Sequence, residues 1–410
     1  MKIGILTYHY VPNFGAQLQT MSTIGFVKRI GHTPVLLHWQ PTDLDDVYIN
    51  RVPELQRSTH TGFADKYFPL TNICRNENDL IREIENLNLD MIITGSDALF
   101  KYIPKTCRLR FSKRRFRFVK IKVSCVEDVP GNPFFCDYYD CLNRRIPVVA
   151  FSVSSQNTPF YKMNADERAM IGKYLDNFKS ISVRDGWTKE MVESLSNHKN
   201  IQITPDPVFS FNQNCYVNLP TKNDILKKYN LPEKYVLVSF WTRKVNARYI
   251  GEISKAFQNN GLTPVAFPMP EGLIDFGIDL KINLPLSPLD WYAIIKYSSG
   301  YIGERMHPIV VCLHNAVPFY VFDEYGTEQK KLFGLFRKYL QWSSKTFHIV
   351  SMAGLERNLF AYKTKRALPK ADDVVRALLE FDKDKCLEFA LKQQQFYEDQ
   401  MIRTVKGCGI

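Results

Sequence analysis

The sequence predicts an α/β protein made of two Rossmann-like domains that face each other across a cleft. Three observations carry this. Short, nearly continuous Val/Ile/Leu runs alternate with helix-period segments from the first residues onward, as in parallel strands covered by helices on both faces. The rhythm breaks over 205–220 (PDPVFSFNQNCYVNLP), a stretch rich in Pro, Asn and aromatics that reads as a connector, and then restarts. The length of 410 residues is too great for one ordinary domain and suits two.

In the first half, Lys2–Thr7 (KIGILT) reads as a buried strand, 16–30 as a helix stopped by Gly31, and Val35–Trp39 as the next strand. Strands recur at 90–94, 148–153 and 181–183, separated by helices over 164–178 and 187–196. In the second half, strands are expected at 235–240, 263–267, 300–302 and 318–321, with helices near 247–260, 288–297 and 308–314. A long amphipathic helix spans 371–401, broken or bent near 382–385. The expected division is a first domain over 1–210 with a basic insertion at about 101–147, a second over 211–370, and a helical tail over 371–410. Such sheets bind ligands at the C-terminal ends of their strands, so the two facing edges would form the site.

Composition narrows the class. A hydrophobic share of 45% and an aromatic share of 13% exclude a disordered chain. The 54 Lys plus Arg outnumber the 42 Asp plus Glu, giving a formal charge of +12 and pointing to an anionic partner. The nine cysteines include no C-x-x-C pair, which argues against a standard zinc or redox site. The N-terminus lacks the apolar run of a signal peptide, and no window approaches the ~18 apolar residues of a membrane span. The expectation is a reduced, cytoplasmic, soluble protein that can touch the inner membrane face peripherally. Lys101–Lys122 holds ten basic residues and no acidic one, interleaved with Phe111, Phe116, Phe118, Val119 and Ile121. It is a candidate contact for an anionic membrane surface, a solvated insertion, or a pair of basic strands, since 108–123 partly alternates.

Four strand ends carry candidate chemistry. After the first strand, Asn13, Phe14, Gly15, Ala16, Gln17, Leu18 and Gln19 open a helix. A small Gly–Ala pair there lets a ligand approach backbone N–H groups, and the two glutamines suit sugar hydroxyls; a plain glycine turn fits equally. Gly95, Ser96 and Asp97 follow the strand at 90–94, where Asp97 is a base or acceptor-binding carboxylate, or else a helix cap. Arg184 and Asp185 end the strand at 181–183, where a guanidinium suits a carboxylate or phosphate; a surface ion pair is the alternative. After the strand at 300–302 come Glu304, Arg305, Met306, His307 and Pro308, which would bring a guanidinium, an imidazole and a helix N-terminus to one small volume. Glu304 is placed to hold Arg305 or tune His307. Asp206, beside Pro207, reads first as a turn-fixing residue.

Taken in order, the opening strand with Asn13–Gln19, Gly95–Asp97, Ser182–Asp185, Pro205–Pro207 and Arg305–His307 resembles the polysaccharide pyruvyl transferase family over roughly residues 1–335. The resemblance implies a GT-B-like fold, phosphoenolpyruvate as donor, and a sugar acceptor, lipid-diphosphate-linked or polymeric, that receives a cyclic pyruvate ketal across two hydroxyls of a hexose. It also implies that Arg184, Arg305 and His307 hold phosphoenolpyruvate. The basic, Cys-containing insertion over Lys101–Pro147 and position 306, here Met, depart from the family's usual pattern.

The chemistry agrees with the residues. Phosphoenolpyruvate carries two anionic groups, so two guanidiniums are a reasonable minimum. Forming the ketal needs an acid for the methylene carbon and a base for the hydroxyls. His307 is expected as the acid or as the group that holds and protonates the phosphate, with Arg184 and Arg305 stabilising charge and Asp97 as base or acceptor-binding group. Asn13, Gly15, Gln17, Ser96 and Asp97 form the expected acceptor side. The scheme needs no metal and no cofactor beyond the co-substrate. A nucleotide-sugar glycosyltransferase is the rival on the same architecture. A nucleic-acid-binding role for the basic segment is weaker, because no recognised nucleic-acid fold accompanies it, and no nucleic acid partner is expected.

Overall fold

The computed structural model describes residues 1–112, 116–241, 244–324, 326–331, 336–362 and 367–408. The first half contains strands β1 (Lys2–Leu6), β2 (Thr33–Leu36), β3 (Met91–Thr94), β4 (Leu109–Ser112), β5 (Arg117–Lys120), β6 (Val148–Val153), β7 (Ser180–Val183) and β8 (Gln202–Ile203). Six of them form one parallel sheet in the order β2-β1-β3-β6-β7-β8. The second half contains β9 (Tyr235–Ser239), β10 (Thr263–Ala266), β11 (Gly300–Gly303), β12 (Phe319–Asp323), β13 (Thr327–Lys331), β14 (Phe336–Leu340) and β15 (Leu359–Ala361), with a parallel sheet ordered β10-β9-β11-β12-β15. The central strands β3, β6, β9 and β11 are buried along their whole length, which is why they read as unbroken apolar runs rather than alternating ones.

In each sheet the strand order reverses once beside the first strand of the half, between β1 and β3 and between β9 and β11. The crevices at those reversals are where such sheets take ligands, and the two crevices face each other.

Two segments outside the sheets help to tie the halves together. The 205–220 segment is more ordered than its composition suggests. Asp206 Oδ1 accepts from the Val208 N–H at 3.0 Å and caps a turn over Pro207–Ser210, and Phe209 and Phe211 are fully buried. This segment packs on the Phe14–Arg29 helix, where Ser22 Oγ donates to the Pro207 carbonyl at 2.6 Å. A Cβ on Gly25 would lie 1.7 Å from the Asn214 carbonyl oxygen, so only glycine admits this close approach. The second joint is the Lys383–Cys408 helix, which follows a break after the Ala371–Leu379 helix. Its Tyr397 is fully buried against Phe26 and Phe151 of the first half, at ring distances of 5.6 and 5.7 Å.

The basic segment forms an antiparallel hairpin, β4 with β5, in which Leu109 lies opposite Lys120 and Phe111 opposite Phe118. The rest of the expected insertion belongs to the core. Phe134, Phe135, Cys136 and Tyr138 are buried with Phe100 and Phe178 in the first half, held by a series of 3₁₀ turns. No described helix is long and apolar enough to cross a membrane.

Candidate active site

The loop after β1 ends at Asn13, whose Oδ1 accepts from the Ala16 N–H at 3.3 Å and caps the Phe14–Arg29 helix. Across the cleft, β11 runs into Arg305, the N-cap of the Met306–His314 helix. The two helix N-termini therefore approach each other. Between them lies a cavity of about 460 Å³, walled by Asn13, Gly15 and Asp97 from the first half and by Glu271, Arg305 and His307 from the second, with Lys345 at its floor.

His307 is the centre of this arrangement. Its ring sits on the backbone of Gly15, where an added Cβ would come within 2.0 Å of the imidazole Cγ. Gly15 thus serves the site by being absent as a side chain, and the imidazole fills the space. Burial pushes the His307 pKa down to about 4, a trend that Asp97 and Asp206 oppose and that Lys345 and Arg184 reinforce. His307 is therefore uncharged at neutral pH. Its Nε2 lies 4.0 Å from Asp206 Oδ2.

Asp97 lines the same cavity in a left-handed conformation, φ 106°, which non-glycine residues rarely adopt and which is retained only where the surroundings enforce it. Its Oδ1 accepts from the Ala98 N–H at 2.7 Å and its Oδ2 from Gln19 Nε2 at 3.3 Å. Burial raises its pKa, but His307, Lys345, Arg184 and the Ala98 N–H outweigh burial and hold the carboxyl below the usual range. Asp97 is a carboxylate at neutral pH.

Arg305 is partly exposed on the opposite wall, 4.0 Å from Glu271. Glu304 is buried and accepts from the Trp241 N–H at 2.9 Å and from the Tyr362 hydroxyl at 3.1 Å, which fastens the ends of β9 and β11 behind Arg305.

Three expected site residues are placed elsewhere. Arg184 lies one layer behind the floor and does not line the cavity. Its Nη1 donates to Asp206 and its Nη2 lies 3.7 Å from Asp97 Oδ1, while its buried Nε and Nη2 have no hydrogen-bond partner among the described residues. Ser96 is buried, its hydroxyl donating to the Ser152 carbonyl at 2.6 Å. Gln17 is buried on the side of its helix turned away from the cleft. Its amide donates to the carbonyls of His9 and His60, and its Oε1 accepts from His60 Nδ1 at 2.7 Å, so nothing remains for a sugar. The spacing Gln17, Gln19 explains the error. Residues two apart on a helix face different ways, and only Gln19 turns toward Asp97. Asp185 caps the Gly186–Leu195 helix through the Thr188 N–H at 2.7 Å. Asp206 fixes its turn as expected and in addition bridges Arg184 to the neighbourhood of His307.

Several cleft residues had no signal in the sequence, Glu271 and Lys345 among them. Lys345 opens the Lys345–Met352 helix, about 40 residues beyond the nearest motif, and only the fold of the second half brings it under Asp97 and His307.

The fold has solved counterparts. Over 99% of this chain and 99% of the other, it superposes on a UDP-GlcNAc 2-epimerase from Methanocaldococcus jannaschii with a TM-score of 0.54 and 9% identity. An S. aureus MnaA structure with UDP gives a TM-score of 0.52 at 11% identity, covering 99% of this chain and 96% of that one. The spinosyn forosaminyltransferase SpnP gives 0.51 at 10% identity over the full length of both chains. At these identities the likeness establishes the GT-B fold alone. No curated protein matches the sequence. The polysaccharide pyruvyl transferase model matches residues 13–324, a span that contains the strand-end motifs from Asn13 to His307, and the chain belongs to the polysaccharide pyruvyl transferase family.

Proposed function

We propose that the protein moves the pyruvyl group of phosphoenolpyruvate onto two hydroxyls of a hexose in a surface polysaccharide or its lipid-linked precursor, closing a cyclic ketal. The observation that carries this is the meeting of Arg305, His307 and the N-terminus of the Met306–His314 helix with the Asp97 carboxylate in one cleft. The helix end and the guanidinium suit an anionic donor, and the carboxylate suits the hydroxyls of an acceptor.

The state of His307 sets the direction of proton flow. An imidazole that is uncharged at neutral pH accepts a proton before it donates one, so the base role falls to His307 rather than the acid role expected from sequence. The first hydroxyl gives its proton to His307 as its oxygen bonds to the central carbon of the donor, the methylene carbon takes a proton from solvent to become a methyl, and His307 returns its proton to solvent. The second hydroxyl then bonds to the same carbon, the carbon–oxygen bond to phosphate breaks, and the hydroxyl proton leaves with inorganic phosphate. Arg305 and the helix N-terminus hold the negative charge through both steps.

Purified protein given phosphoenolpyruvate and a panel of galactose-, glucose- and mannose-terminated acceptors, lipid-diphosphate-linked ones included, is expected to release phosphate and add a pyruvate ketal to one acceptor, read by mass. His307→Gln is expected to lower kcat by about 10²–10⁴-fold with an unchanged thermal melt. Binding of UDP in place of phosphoenolpyruvate would turn the assignment to a nucleotide-sugar glycosyltransferase.

The acceptor side is proposed to work at an anionic lipid surface. The β4–β5 hairpin rises beside the cleft wall at Lys101, Ser124 and Glu127, and its Leu109, Phe116 and Phe118 are 63%, 86% and 69% exposed among the basic residues. Basic side chains contribute about 1 kcal/mol each near such a surface, and exposed aromatics insert into the interface. The protein is expected to sediment with phosphatidylglycerol-containing vesicles and not with phosphatidylcholine alone, and Phe116→Ser with Phe118→Ser is expected to weaken that binding. Equal retention on neutral vesicles, or retention on RNA alone, would remove the membrane role.

A further inference from the structure

We propose that Gln156 and Tyr48 form the acceptor subsite of the cleft: the Gln156 carboxamide and the Tyr48 hydroxyl hydrogen-bond hexose hydroxyls that do not react, and so turn the reacting pair toward Asp97 and His307. The assignment rests on the pyruvyl-transfer reading above and gives Gln156 the sugar-binding amide role that the sequence placed at Gln17.

Gln156 follows β6 and lines the cleft with Asp97 and His307. It is the second residue of a turn in which the Thr158 N–H donates to the Ser155 carbonyl at 3.1 Å, and its φ is 57°. Glycine is the usual residue there, and a side chain held in that conformation is strained. Asp97 and Ser152 also have positive φ, so three non-glycine residues at the adjoining ends of β3 and β6 carry such strain. Among the described residues the Gln156 carboxamide has no hydrogen-bond partner; only its backbone N–H is engaged, donating to Ser154 Oγ at 3.0 Å. The strain therefore holds a polar group toward the cleft without a local bond to hold it there.

The mount is stiff. The Ser154 N–H donates to the Asp97 carbonyl at 2.8 Å, and Ser154 Oγ donates to Asp185 at 2.7 Å. The Ser155 N–H donates to Thr188 Oγ1 at 2.8 Å, Thr158 Oγ1 accepts from the Tyr102 N–H at 2.9 Å, and the Thr158 carbonyl accepts from Trp187 Nε1 at 2.9 Å. A side chain on so fixed a turn loses little freedom when a ligand binds. Tyr48 lines the same cavity from the Thr42–Ile49 helix. Asp43 fastens that helix by accepting from the Ser124 hydroxyl at 3.0 Å and the Cys125 N–H at 2.7 Å. Burial, with Asp97 and Glu271 nearby, pushes the Tyr48 pKa up to about 12, so the phenol keeps its proton and can donate it in a hydrogen bond.

The bonding capacities match two kinds of hydroxyl. One that attacks gives up its proton, which suits the carboxylate of Asp97 and the uncharged His307. One that does not react both donates and accepts, which suits a carboxamide and a phenol.

Gln156→Gly keeps the backbone conformation and removes the amide, since glycine adopts a positive φ without strain. It is expected to melt near wild type and to raise the acceptor KM by about 10–100-fold, with the phosphoenolpyruvate KM within about twofold. Tyr48→Phe is expected to raise the acceptor KM by about 3–10-fold. The probes are the panel acceptor that wild type modifies and its monodeoxy analogues, each lacking one hydroxyl that does not react. One analogue is expected to cost wild type as much as Gln156→Gly does, and to cost Gln156→Gly less than about twofold more. A wild-type acceptor KM in Gln156→Gly, or equal losses on every analogue in the two proteins, would overturn the Gln156 assignment. A wild-type acceptor KM in Tyr48→Phe would remove Tyr48 from the subsite. A wild-type protein that turns over no panel acceptor with phosphoenolpyruvate would overturn the pyruvyl-transfer reading itself, and this assignment with it.

Discussion

Gly15→Ala is expected to remove most turnover without unfolding the protein. The added methyl would lie 2.0 Å from Cγ, 2.3 Å from Nδ1 and 2.5 Å from Cδ2 of His307. Real carbon contacts do not approach that closely, so the imidazole must leave its seat by an ångström or more, and a displacement of that size costs on the order of 10²-fold in rate. The helix itself gains, because alanine is favoured over glycine in a helix by up to about 1 kcal/mol. A melt near or above wild type, with kcat down about a hundredfold, is the expected pair of results. The double variant Gly15→Ala with His307→Ala should match His307→Ala alone, because the second change removes what the first one collides with. A double variant much slower than His307→Ala would mean that Gly15 acts on the ligand directly.

Asp206→Ala is expected to give the largest loss of stability. Asp206 and Arg184 pair with about 1% and 4% of their side-chain surface exposed, and the carboxylate also caps the Pro207–Ser210 turn. Removing it leaves a buried guanidinium with Asp97 at 3.7 Å as its nearest counter-charge. Breaking a buried pair from one side costs about 3–5 kcal/mol, and the lost cap adds about 1 kcal/mol. Urea denaturation followed by circular dichroism measures it. Arg184→Met combined with Asp206→Leu should be more stable than Asp206→Ala, since replacing both charges leaves neither one stranded. If the single variant were the more stable of the two, the pair would not be the fastening that the geometry indicates.

The parallel strands were legible because burial on both faces writes them as unbroken Val/Ile runs: 148–153 and 235–240 match β6 and β9 closely. Elements with polar contacts were not. The Glu54–Tyr67 helix turns Gln56 and His60 inward, where Gln56 bonds both the N–H and the carbonyl of Leu286 and His60 bonds Gln17. A helix that buries amides and imidazoles has no apolar period to read. The hairpin of β4 and β5 was visible as an alternation but not separable from a solvated insertion.

His307, Arg305, Asp97 and Asn13 could be placed at the cleft because each lies in the loop or first helical turn that follows a strand, and strand ends in such sheets converge. Depth was not legible. Arg184 is also at a strand end, yet β7 is two strands from the reversal of its sheet, and its side chain ends behind the floor rather than in the cleft. Lys345 shows the opposite limit: no local pattern marks it, because its place depends on where a distant helix docks.

The Lys383–Cys408 helix has a consequence for how the protein is made. Every strand of both sheets is synthesised before it, yet Tyr397 fills the space between Phe26 and Phe151, and Glu398 reaches Arg29 at 3.1 Å. The first half therefore exposes an unfilled apolar seam until Tyr397 has been made. Assembly of the cleft is tied to synthesis of that helix, and a chain released before residue 397 would carry Asn13 and Asp97 in a half that cannot close its own core.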